Sequence, residues 1–131
     1  MNVGKETEQI EFKRSTSELK EGIISITSIL NAHGYGELYF GVNNSGDVVG
    51  QILGKETERD VSSTIRNSIE PNCEFNIEAK TSEDDKTYLH ISFRGDRAPY
   101  MAYGRFYIRH SDEDHLMSPS EIEAYFKKKS N

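Results

Sequence analysis

His33-Gly34-Tyr35-Gly36-Glu37-Leu38-Tyr39-Phe40-Gly41-Val42-Asn43-Asn44-Ser45-Gly46-Asp47-Val48-Val49-Gly50 is the run from which the rest of the chain is best read. Two glycines close the helical pattern before it, Leu38 to Val42 is apolar throughout, Asn44-Ser45-Gly46 supplies turn residues, and Val48 and Val49 resume an apolar pair. The pattern predicts a central strand covered on both faces, with a hairpin returning from it. The polar tip is where a site is expected. Asn43 and Asn44 bear on its chemistry, because carboxylates there would help hold a divalent metal, whereas neutral amides bring it no charge.

Upstream, Gln9 to Lys13 alternates, with Ile10 and Phe12 on one side and Glu11 and Lys13 on the other, as in a half-buried strand. Ser15 followed by Glu18 fits a capping box, and Leu19, Ile23, Ile26 and Leu30 recur at helical spacing, predicting a helix over about 17–31. Downstream, Val61, Ile65 and Ile69 predict a second helix, stopped by Pro71, which disfavours helix at Glu70. Alternating residues over 74–79 and 88–93 predict two strands joined by the acidic turn 82–86. A loop containing Pro99 then leads to a strand over 105–109. Ser118-Pro119-Ser120-Glu121 starts a last helix through Ile122, Tyr125 and Phe126. The order β-α-β-β-α-β-β-β-α predicts an α+β fold, one domain over 1–131 with helices packed on a mixed sheet.

Composition narrows the function classes. At 131 residues the chain has room for one hydrophobic core and not for two ordinary domains. With 34% hydrophobic and 29% charged residues it reads as globular, and no segment approaches the length of a membrane span. Met1 to Gln9 lacks the apolar core and basic flank of a secretion signal, so a cytoplasmic location is expected. Cys73 is the single cysteine, which rules out an internal disulfide or multi-cysteine zinc site and predicts a buried, inert thiol. A net charge of −6 argues against binding polyanions with the whole surface, yet Arg94, Arg97, Arg105 and Arg109 cluster in sequence and allow a local basic face.

Three constellations could carry chemistry. Glu6 and Glu11 beside Lys13 could bind a divalent ion that activates water. Five residues apart on a continuous strand they would point to opposite faces, so they converge only if the chain bends between Glu6 and Gln9. A solvated charged segment is the alternative. In Arg105-Phe106-Tyr107-Ile108-Arg109, alternation places Phe106 and Ile108 in the core and Arg105, Tyr107 and Arg109 on the opposite face. Guanidinium groups there would pair with phosphates and the tyrosine would stack on an unpaired base, with Arg94, Arg97, Tyr100 and Tyr103 extending the face. Cross-strand pairing of those arginines with glutamates is the competing reading. His110 and His115, with Asp112 and Asp114 between them, read as a mixed-charge loop rather than a metal site; His33 ends a helix and His90 lies on an outer strand face. No phosphate-binding loop is present: Val49 to Glu56 lacks both the first glycine and the hydroxyl residue.

Taken together, Glu6-Thr-Glu-Gln-Ile-Glu11-Phe12-Lys13, Ile24 to Asn31, Gly36 to Gly50, Ile69-Glu70-Pro71 and Gly104-Arg105-Phe106-Tyr107-Ile108-Arg109 resemble the Schlafen-type Alba-like domain family, described as DNA- or RNA-binding and earlier labelled divergent AAA. The resemblance implies an α+β domain that binds nucleic acid, often as the amino-terminal part of a bacterial transcriptional regulator with a further carboxy-terminal region. In Schlafen nucleases, glutamates matching Glu6 and Glu11 act with an aspartate after the Gly-Val pair to bind metal and cleave RNA. Here that segment reads Asn43-Asn44, and Asp47 is the remaining acid that could substitute. A further departure is Tyr35, which separates two glycines usually adjacent in the family.

The leading expectation is nucleic-acid binding through Lys13, Arg94, Arg97, Tyr100, Arg105, Tyr107 and Arg109, without cleavage and without a cofactor. The alternatives are a metal-dependent ribonuclease using Glu6 and Glu11, with Asp47 as a third ligand, and a homodimerisation module whose aromatic strand faces a second subunit.

Overall fold

Ser15 and Glu18 start the first helix much as the capping pattern implies. Ser15 Oγ accepts from the Ser17 N–H at 3.2 Å, and Glu18 Oε2 reaches back to the Arg14 N–H at 3.1 Å. A 3₁₀ turn over Thr16–Glu18 then feeds α1, Leu19–His33. Gly34 ends it at φ 84°, in the left-handed region, with its N–H on the carbonyls of Ile29 and Leu30. The computed structural model describes residues 1–130, and side chains over 1–129.

Gly36 does not help to end the helix. It lies within β2, Tyr35–Phe40, where a Cβ would sit 2.7 Å from both the Gln9 carbonyl oxygen and Ile29 Cγ2. β2 pairs in parallel with β1, Ile10–Lys13, and antiparallel with β5, Thr87–Arg94, which pairs antiparallel with β4, Glu74–Thr81. This mixed sheet has the order β1-β2-β5-β4. The hairpin predicted after β2 is reduced: the strand stops at Phe40, and the return consists of a single bridge from Val42 to Val48. Residues 1–4 close over that tip instead, with Asn2 bridging Asp47 and the Val3 N–H donating to the Gly46 carbonyl at 2.8 Å.

The second helix, α2 over Thr57–Ser68, gives way to a short strand β3, Ile69–Glu70, just before Pro71. Two segments expected to be loop form strands. β6, Met101–Ala102, and β8, Glu113–Leu116, flank β7, Arg105–His110, in an antiparallel sheet of order β3-β6-β7-β8. The last helix, α3 over Pro119–Ser130, starts at a reciprocal cap: the Glu121 N–H donates to Ser118 Oγ at 3.2 Å, and the Ser118 N–H to Glu121 Oε1 at 3.0 Å. The architecture is α+β.

α1 is buried nearly all round. Ile23, Ile26, Ile29 and Leu30 join Leu38, Phe40, Leu89, Ile91 and Phe93 of the first sheet and Val61 and Ile65 of α2 in the main core. Gly22 permits this approach, since a Cβ there would meet Phe40 Cζ at 2.8 Å. Ser25, Ser28 and Asn31 form a polar stripe at spacing three that is also buried, because the second sheet covers it. A smaller core of Phe12, Val42, Val48 and Tyr88 lies with Val3, Ile10 and Tyr39. β4 is an edge strand, and Glu58 of α2 accepts a hydrogen bond from its Ala79 N–H at 2.9 Å.

Candidate functional site

The chain bends where convergence of the two glutamates requires it. Thr7 bridges Ile10, its N–H donating to the Ile10 carbonyl at 3.0 Å, and the Gln9 N–H donates to Thr7 Oγ1 at 3.1 Å. Glu6 is thereby turned back over β1, where its Oε2 accepts from the Phe12 N–H at 3.1 Å, and its carboxyl shares a hydrogen bond with Glu11. Burial, then that shared bond, pushes Glu6 up to about 7. Burial acts in the same direction on Glu11, but the bond from Glu6 and the charges of Lys13 and Arg109 outweigh it and hold Glu11 below the ordinary carboxylate range.

Glu11 is the start of a buried ionic network rather than an open ligand. Lys13 Nζ lies 3.1 Å from its Oε2, Ser25 Oγ lies 3.3 Å from the same oxygen, and Arg109 Nη2 meets its Oε1 at 3.2 Å. Arg109 goes on to Asp114 Oδ1 through Nη1 at 2.7 Å and to the Thr7 carbonyl at 3.1 Å. Asp114 accepts from Ser25 Oγ at 2.6 Å and from Ser28 Oγ at 2.5 Å. Here the expectation from strand alternation is corrected: the Arg109 side chain has 0% exposure, its two terminal nitrogens held by Glu11, Asp114 and the carbonyls of Thr7 and Ile10, while its Nε is buried without a hydrogen-bond partner among the described residues. Phe106 and Ile108, expected in the core, are half-buried, and Phe106 meets Phe126 of α3 edge-to-face at 6.5 Å.

Tyr100 also departs from its expected surface position. It is fully buried: Asn31 clamps its backbone, accepting from the Tyr100 N–H at 2.6 Å and donating to the Tyr100 carbonyl at 2.9 Å, while its hydroxyl accepts from the Arg97 N–H at 3.0 Å. Lys13 is occupied by Glu11, and Tyr107 is half-buried with its carbonyl on Asn31. Arg94 is exposed but paired with Glu74 at 2.7 Å. Arg97 and Arg105 remain exposed, with no carboxylate partner among the described residues.

Tyr103, and with it Lys20, which the sequence does not single out, join Arg105. The β6–β7 turn places Tyr103 at φ 54° and Gly104 at φ 75°, the two positive values of a tight hairpin turn. The Tyr103 ring is thrown outward, 43% exposed, and Lys20 Nζ of α1 lies 5.2 Å from its centroid. Lys20, Tyr103 and Arg105 thus combine two cations and an aromatic at a hairpin tip. Lys20 is the second residue of α1, more than eighty positions away from the tip in sequence, so no local motif reveals it.

A divalent ion does not fit the glutamate pair. Hard cations need carboxylate oxygens free to coordinate. Glu11 is already engaged by two cations, and Asp47, the expected third ligand, is exposed and accepts from Asn2 Nδ2 at 2.8 Å. Among the described residues no three histidines, cysteines or acids are grouped to hold a metal. Asn43 has a conformational task instead, its Oδ1 accepting from the N–H groups of Ser45 and Asp47 at 3.0 Å each. Cys73 is half-buried, and burial pushes its thiol up to about 11, consistent with an inert side chain. His90 lies on the outer face of the first sheet, stacked on Tyr39 at 4.4 Å and hydrogen-bonded to Glu37 at 2.7 Å. Among the described residues no helix is long and apolar enough to cross a membrane.

The model of one family, described as Schlafen, AlbA_2, matches residues 6–118, which span the glutamate bend, both sheets and the arginine strand. The chain belongs to the Schlafen, AlbA_2 family. Membership relates the domain to nucleic acid. Among solved structures, the DIP2311 protein from Corynebacterium diphtheriae superposes with a TM-score of 0.66 at 17% identity, over 92% of this chain, and supports the fold. This Schlafen, AlbA_2 chain corresponds to 24% of that protein's length. No curated protein matches the sequence.

Proposed function

We propose that the domain binds nucleic acid through the tip of the β6–β7 hairpin and the start of α1, with Arg105 and Lys20 on phosphates and Tyr103 against a base or sugar. The observation that carries this reading is the Lys20–Tyr103–Arg105 grouping: Lys20 lies over an exposed ring two residues before Arg105 on the same hairpin, and neither cation has an acidic partner among the described residues, in a protein whose net charge is −6. Tyr103 holds a backbone conformation unfavourable for a bulky residue, where Asn or Gly would form the same turn with less strain. Such a strained, exposed aromatic is a feature of functional sites. Arg94 and Arg97 lie in a separate groove and form a secondary contact.

Binding, rather than cutting, is supported by the two cations that engage Glu11 and by the lack, among the described residues, of three acids, histidines or cysteines grouped to hold a metal. The domain then works as the nucleic-acid-binding part of a bacterial regulator or RNA-binding protein. A homodimer built on the aromatic strand is less favoured, because Phe106 is met by Phe126 of its own chain. The test is titration of labelled RNA and DNA at two salt concentrations, with and without manganese. Affinity should fall steeply with salt, drop in the Lys20→Ala/Arg105→Ala double variant, and leave the strands intact. Salt-independent binding, or none, removes the reading; manganese-dependent cleavage lost in Glu11→Gln would establish the nuclease instead.

A further inference from the structure

We propose that a groove on the outer face of the first sheet takes an unpaired nucleotide of a single strand, with Tyr35 stacking on the base and Arg97 meeting the phosphate. This rests on the nucleic-acid reading above and adds the class of strand recognised. The groove has a volume of about 1350 Å³ and runs over the starts of β2 and β4, the end of β5 and the loop at 95–97. That is ample for one nucleotide.

Tyr35 is the best-displayed aromatic of the groove. It is 61% exposed, and its ring has no partner among the described residues. The backbone on either side is fixed. Gly34 turns the chain out of α1 in the left-handed region, and Gly36 packs so closely on Gln9 and Ile29 that a side chain would not fit. A rigid mount for an exposed ring lowers the ordering cost of stacking. Gly34 makes the helix-to-strand turn by itself, so Tyr35 has no task there.

The cations divide into one held and one available. Arg94, opposite Tyr35 on β5, is engaged by Glu74. The backbone of Arg97 is anchored to the Tyr100 hydroxyl, while its guanidinium has no acidic partner among the described residues. Glu37, Glu74 and Asp96 line the same groove. Three carboxylates are a poor surface for a duplex, which brings a phosphate about every 1.7 Å along its axis. One unpaired nucleotide brings a single phosphate for Arg97, and its amino and hydroxyl donors can meet carboxylates and the amides of Gln9 and Asn72. The charge pattern therefore selects for a single strand.

The experiment compares a labelled single-stranded oligonucleotide with the matching duplex by fluorescence anisotropy, using wild type, Tyr35→Ala, Tyr35→Phe, Arg97→Ala and the Lys20→Ala/Arg105→Ala double variant. Thermal melts confirm that each is folded, as expected for exposed positions. Tyr35→Ala should weaken single-strand binding about ten-fold, as loss of one base–aromatic stack does, and leave duplex binding unchanged; Tyr35→Phe should retain affinity. Arg97→Ala should weaken the single strand alone. Equal affinity for duplex and single strand, or a silent Tyr35→Ala beside a defective Lys20/Arg105 variant, overturns the groove and leaves the hairpin reading standing. Wild-type protein that binds neither strand at low salt overturns both.

Discussion

Arg105 and Arg109 occupy one strand, four residues apart and on the same side of its alternation, yet they belong to different parts of the protein's chemistry. Arg105 is exposed and has no carboxylate partner among the described residues, whereas the Arg109 side chain is wholly covered and meets Glu11, Asp114 and backbone carbonyls. The difference lies in what the rest of the fold brings to each end of β7. At one end α1 offers Lys20, over the Tyr103 ring of the hairpin turn; at the other its Ser25 and Ser28 hydrogen-bond Asp114 of β8, with Glu11 of β1 beside them. An arginine's role is therefore set by the partners supplied to it, and the same residue type can be ligand-facing or architectural within one strand.

The sharpest way to break this contrast is to remove each arginine in turn. Arg109→Ala leaves buried Glu11 and half-buried Asp114 without their shared cation and should lower the unfolding free energy by about 3 kcal/mol, measured by urea denaturation. A loss no larger than that of Arg105→Ala would erase the distinction. A smaller effect tests the rim of the same network. Folded Glu6 keeps its proton up to about pH 7, whereas an unperturbed glutamate releases it near 4.5. Between those values the folded state holds the extra proton, so stability falls as pH rises through that window. Since Glu6 is partly exposed, solvent screening reduces the fall to on the order of 1 kcal/mol. In Glu6→Gln the stability-against-pH curve should be flatter across the same range; an unchanged slope would place the proton elsewhere.

At the exposed end the expected stability effects are smaller and take the other sign. Tyr103→Asn relieves the left-handed conformation and should stabilise the protein by about 0.5–1 kcal/mol while weakening nucleic-acid binding, which thermal melts and anisotropy would show side by side. Lys20→Ala with Arg105→Ala should shift stability by no more than about 0.5 kcal/mol. Its mark is on binding, where the slope of log affinity against log salt should shrink by about one for each phosphate contact removed. A stability loss without a change in salt slope would make that end structural too.

Much of the fold was legible locally. The caps at Ser15 and Ser118, the glycine at the end of α1, the alternation of β5 and the stop before Pro71 all depend on neighbouring residues. The bend that gathers Glu6 and Glu11 stood only as a condition for their convergence, and the Thr7–Ile10 bridge that makes it belongs to the folded chain. The second sheet was less visible: Glu113-Asp114-His115-Leu116 carries no strand-like alternation of apolar residues, and Met101-Ala102 is too short to show any. Its shadow falls on α1, where Ser25, Ser28 and Asn31 look like a solvent face until β7 and β8 cover them. Missing that cover reversed the reading of Arg109 and left Tyr100 on the surface. Lys20 beside Tyr103 was hidden for the same reason, since only the folded chain brings them within 5.2 Å.

The hydrogen bond from the Ala79 N–H to Glu58 bears on how copies of this protein behave in company. Antiparallel β4 has eight residues and a free side, the kind of margin on which sheets grow from one chain into the next. By seating a carboxylate on one of the donors an incoming strand would need, α2 turns an adhesive margin into a closed one. A single side chain from a neighbouring helix thus works against strand addition at this margin.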